Sequence, residues 1–110
     1  MIHIRISQNE SGDVVFFRVS GHSGYAERGQ DIVCAAVSSA VMMTGVGLER
    51  QLGLKDIVQV EEQENVICCR LPENLPEAVQ QQAFVLTNTL KIYLEELALQ
   101  YESYIHMEKM

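Results

Sequence analysis

Apolar residues along this chain follow two periods. Ile2, Ile4 and Ile6 alternate with His3, Arg5 and Ser7, a period of two that predicts a strand buried on one face. Residues 14–19 (VVFFRV) are β-branched and aromatic, and Asn9-Glu10-Ser11-Gly12 before them is turn chemistry, so the chain is expected to open with a hairpin. Residues 21–30 contain Gly21, Gly24 and Gly29 and read as a mobile loop. At Ile32 the period changes. Val33, Val37, Val41, Thr44 and Leu48 recur at spacings of three and four, the stripe of a helix with Asp31 as its N-cap. Gly45 and Gly47 weaken its last turn.

Residues 57–60 and 66–71 predict a second hairpin around the polar turn EEQEN. Asn74-Leu75-Pro76-Glu77 supplies a cap, an early proline and a carboxylate, the start signal of a second helix. Val79, Ala83, Leu86, Leu90, Tyr93 and Leu97 form its expected stripe, and Ile105 and Met107 begin a last short strand. The order ββαββαβ predicts an α+β fold, a mixed or antiparallel sheet of about five strands with two helices. At 110 residues the expectation is a single domain, 1–110.

A net charge of −7 argues against direct nucleic-acid binding, which needs lysine and arginine to displace counterions. It suits a basic partner, or serves solubility alone. No membrane association is expected, because the longest uncharged stretch, residues 32–48, is short of a bilayer span and contains Ser38, Ser39 and Thr44. The alternating start MIHIRISQ is unlike a signal peptide. Three cysteines, Cys34, Cys68 and adjacent Cys69, make a poor disulfide framework and suit a reducing cytoplasm.

Candidate chemistry concentrates at GHSGYAERGQDIVCA, residues 21–35. If Asp31 caps the helix, Cys34 occupies its first turn, where free amides and the helix dipole favour thiolate, the attacking species. The same amides could hold an oxyanion. His22, on the glycine-punctuated loop, is the candidate acid and base, with Asp31 capping the helix or orienting the ring. Ser38 lies one turn beyond Cys34 and either reaches the site or packs in the helix. The competing reading makes Cys34 core filling and His22 a solvated loop residue. Cys68 and Cys69, on opposite faces of a strand, read as structural, and His3 and His106 as surface residues. No CxxC or HxxxH spacing exists for a metal site, and no cofactor motif is present.

The 20-residue segment GHSGYAERGQDIVCAAVSSA resembles the signature of the ribosomal-processing cysteine protease family, Prp: a Gly-His-Ala start, a glycine-containing loop, then Asp-Ile-Val-Cys-Ala. In length and element order the resemblance extends over the whole chain. It implies a cytoplasmic, homodimeric cysteine endopeptidase that removes a short N-terminal extension from a bacterial large-subunit ribosomal protein. The family's nucleophile falls on Cys34, its histidine on His22, and Asp31 matches the motif's aspartate. Ser23 departs from the family's usual alanine, a small change that leaves the Cys–His pair intact. Two rivals remain at this point. One is a noncatalytic ribosome-assembly binding module, in which Cys34 packs and His22 is surface. The other is a redox-sensing thiol, which lacks a nearby resolving cysteine.

Overall fold

Strand β1 (Ile2–Gln8) lies between β2 (Val14–Ser20), to which it is antiparallel, and β5 (Ile105–Lys109), to which it is parallel. Beyond β2 come β4 (Val66–Arg70) and β3 (Val58–Glu61), both in antiparallel register. The order is therefore β3-β4-β2-β1-β5, a five-stranded mixed sheet. This is a computed structural model that describes residues 1–27 and 29–109; Arg28, within the predicted 21–30 loop, lies outside them.

The period-two pattern places Ile2, Ile4, Ile6, Phe17, Val19, Cys69 and Ile105 on one buried face of the sheet. Helices α1 (Ile32–Val46) and α2 (Glu77–Gln100) supply the rest of the same core. The expected α1 stripe is observed in full, with Val33, Val37, Val41, Thr44 and Leu48 all buried. Gly45 lies in the last turn of α1, and Gly47 is its C-cap. A Cβ on Gly45 would stand 3.2 Å from Val58, and one on Gly47 would stand 3.1 Å from Leu86, so both glycines let α1 approach β3 and α2 closely. The chain then widens into a π-helical turn, Gly47–Gln51. With that turn the segment Ile32–Gln51 has 20 residues and contains an 18-residue window with a mean hydropathy of 1.7, enough by length and composition to cross a membrane, whereas the sequence stretch 32–48 is too short. Its valine stripe is instead packed in the core of this fold.

Two expectations for α2 need correction. Asn74 does not cap it: Pro76, at φ −54° and ψ 144°, precedes the first helical residue, and no side chain caps the helix. The buried stripe is Ala83, Thr87, Leu90, Leu94 and Leu97, while Tyr93 is 44% exposed. Thr87 occupies a core position because its hydroxyl donates to the Val14 carbonyl at 2.8 Å. Next to it, Asn88 accepts from the Val14 amide at 2.9 Å and donates to the Asp13 carboxylate at 3.0 Å. These contacts tie α2 to the start of β2.

Candidate active site

β2 ends at Ser20, and Gly21 turns the chain with φ at +87°. A Cβ there would collide with the Met1 carbonyl oxygen, so glycine is required both by conformation and by space. The next residue is His22, which is exposed. Ten residues on, α1 begins as the sequence predicts. Asp31 Oδ1 accepts from the Val33 amide at 3.1 Å and the Cys34 amide at 3.0 Å, which puts Cys34 at the third helical position.

The loop folds back over this helix start. The Ser23 amide donates to Cys34 Sγ at 3.2 Å, and the Ser23 hydroxyl donates to Asp31 Oδ2 in a short hydrogen bond. The same hydroxyl accepts from the Tyr25 amide at 3.0 Å. Ser23 is buried, so the residue that departs from the signature sits at the centre of the loop's anchorage. Tyr25 then rests edge-on against Tyr104 and Tyr101, with ring centroids 5.2 and 6.1 Å away, which docks the loop on the turn between α2 and β5.

Cys34 is half-buried and stands where two clefts meet. One, of about 490 Å³, is walled by Gly24, Ala26, Gly29, Asp31 and Ala35; the other, of about 210 Å³, by Ile2, Val19, Val37, Ile67 and Asn65. His22, Cys34 and Ser38 line both. The structure thus brings the predicted cysteine and histidine into one depression. Ser38 is exposed at the cleft rather than packed.

Asp31 is placed as a cap and not as an orienting partner of His22. Its described hydrogen bonds go to Val33, Cys34 and Ser23. Partial burial acts to raise its pKa, but the bonds from Ser23, Cys34 and Val33 together outweigh it and hold the carboxyl below the usual value of 3.8. The cap also occupies the two amides that the sequence offered for an oxyanion. The donor that faces the sulfur is Ser23 N–H.

Beside the imidazole is a residue that sequence reasoning passed over as turn chemistry. Asn65 closes the β3–β4 turn with φ at 53°, a left-handed conformation that asparagine tolerates. Its Nδ2 donates to the Gly21 carbonyl at 2.5 Å and lies 3.4 Å from His22 Nδ1, and its own carbonyl accepts from the Gly21 amide at 3.2 Å. The only signal in the sequence was an asparagine at the end of a polar turn.

Cys69, unlike Cys34 and Cys68, is buried. Burial, and then the neighbouring Cys68 and Glu49, push the Cys69 thiol up to about 12, so it stays neutral within the sheet. His3 and His106 are exposed cross-strand neighbours, their rings 5.9 Å apart.

A family model described as Cysteine protease Prp matches residues 1–106. The ribosomal processing cysteine protease Prp of Bacillus subtilis (strain 168) is 26% identical over 102 residues, which cover 93% of this chain and 91% of that protein. Among solved structures, the essential ribosomal processing protease Prp from S. aureus, in complex with a covalently linked product peptide, superposes with a TM-score of 0.83. Its identity is 21%, and both chains are covered completely. SMU.848 from Streptococcus mutans gives the same TM-score at 23% identity, covering all of this chain and 94% of that one. With the family match spanning nearly every residue, the chain belongs to the cysteine protease Prp family.

Proposed function

We propose that this protein is the endopeptidase that trims a short N-terminal extension from a large-subunit ribosomal protein, with Cys34 as nucleophile and His22 as general acid and base. The observation that carries the reading is the placement of Cys34 Sγ in the first turn of α1, under the Ser23 amide, in the cleft that His22 also lines. A relative named for ribosomal processing and an S. aureus homologue holding a covalently linked product peptide support the substrate class. The net charge of −7 suits a basic ribosomal substrate.

Thiolate Sγ attacks the scissile carbonyl carbon, and the C=O electron pair moves to oxygen. Ser23 N–H, at the sulfur, holds the thiolate before attack. As the tetrahedral intermediate collapses, the C–N bond breaks and His22 protonates the leaving amine, giving a thioester and a free new N-terminus. Water then attacks the thioester while His22 takes its proton, releasing the carboxylate and regenerating the thiolate with the proton on the ring. Asp31 acts indirectly, by fixing the helix start and the Ser23 loop.

The same reading places the protein in the cytoplasm as a homodimer. Its helices support self-association: α1 exposes Met43 at 79%, and α2 exposes Val85, Ile92 and Leu99 at seven-residue spacing, one outward stripe.

Intact-mass analysis of the extended ribosomal-protein precursor, incubated with wild type and with Cys34→Ala, tests the function. One cut near the precursor's N-terminus by wild type alone is expected. An intact precursor after incubation with folded wild type would overturn the assignment.

A further inference from the structure

The Asn65 side-chain amide is oriented by Gly21, not by the histidine. Its Nδ2 donates to the Gly21 carbonyl, and rotating the amide by half a turn would set Oδ1 against that carbonyl oxygen. With this orientation fixed, the nitrogen's second hydrogen is the one available to His22 Nδ1, 3.4 Å away. A donor facing Nδ1 makes that atom the acceptor of the neutral ring and puts the ring proton on Nε2. The backbone reinforces the contact. The Gly21 amide donates to the Asn65 carbonyl, so the residue before the histidine is held to this turn at both its N–H and its C=O. Asn65, His22 and Cys34 share the 210 Å³ cleft.

We propose that Asn65 is a positioning residue for His22: by clamping Gly21 and donating to Nδ1 it fixes the orientation of the ring and, in the neutral imidazole, its Nε2–H tautomer. The inference rests on the catalytic role of His22 proposed above. The position is chemically economical. A turn residue that needs positive φ favours asparagine or glycine, and only asparagine also supplies the amide.

The test uses two readouts on the full-length protein. In histidine-15N-labelled wild type the neutral His22 ring, assigned by the signal lost in His22→Gln, is expected to show an unprotonated Nδ1 and a protonated Nε2. Asn65→Asp replaces the donor with an acceptor and is expected to move the proton to Nδ1. A wild-type ring protonated at Nδ1, or an Asn65→Asp ring with the wild-type tautomer, would overturn the proposal. In cleavage assays Asn65→Gly, which accepts the φ of 53° and so spares the turn, is expected to lower kcat by about 10- to 100-fold with KM within about twofold, the cost of a misplaced base. An unchanged kcat would overturn positioning. If wild type cleaves nothing, the protease reading fails by itself, while the tautomer measurement still decides the role of Asn65.

Discussion

At the scale of single residues, the site is built by sharing polar atoms. One Asp31 oxygen caps two amides and the other takes the Ser23 hydroxyl, whose backbone N–H in turn faces Cys34 Sγ. Because the folded carboxyl is held below its usual value of 3.8, its contribution to stability is complete above that pH and is lost as pH falls through the folded value. Asp31→Ala is therefore expected to destabilise the protein by about 1 kcal/mol at pH 7, the usual cost of a lost cap. Denaturant titrations of both proteins from pH 7 to pH 2 should show the gap closing below the ordinary aspartate range. A gap constant down to the lowest pH would contradict the ionised cap. The cap and the first-turn cysteine were legible in the sequence because both depend on neighbours within three residues. The partnership of Asn65 with His22 was not, because it joins positions 43 apart and is carried by a side chain whose presence the turn already explains.

At the scale of elements, the strands and α1 followed from periodicity alone, since each presents one uninterrupted apolar face. α2 was harder to read. Its stripe passes through Thr87, a polar residue made compatible with the core by its bond to the Val14 carbonyl, and this shifts burial from Tyr93 to Leu94. Leu94 is fully buried, so Leu94→Ala is expected to cost about 2–5 kcal/mol, whereas Tyr93→Ala should stay well below that. Thermal or urea unfolding of the two variants checks the assignment; equal losses would restore the stripe expected from the sequence. The start of α2 was misplaced because Pro76 holds an extended ψ, leaving Asn74 too far out to serve as a cap. The two α1 glycines were read as weakening the helix, but packing partners from β3 and α2 decide their role, and a one-dimensional pattern does not contain them.

At the scale of the whole molecule, the fold class and element order were legible, while surfaces that depend on a partner were not. The stripe of Val85, Ile92 and Leu99 escaped notice because the buried stripe on the same helix dominates its pattern. If these residues meet a second copy, Leu99→Asp should shift sedimentation from dimer to monomer at micromolar concentration; a wild type that sediments as a monomer would remove the proposed homodimer.

The parallel seat of β5 beside β1 has a consequence for how the protein is made. Synthesis proceeds from β1 towards β5, so the edge of β1 that residues 105–109 will cover stays open until almost the entire chain has been translated. Ile2, which walls the cleft beside Cys34, pairs with Ile105. His22 and Cys34 are polymerised early, but the turn carrying Asn65 follows 31 residues after the cysteine, and the strand that completes the sheet comes last. The nascent chain therefore carries His22 and Cys34 before it has the strand that closes this edge of the sheet.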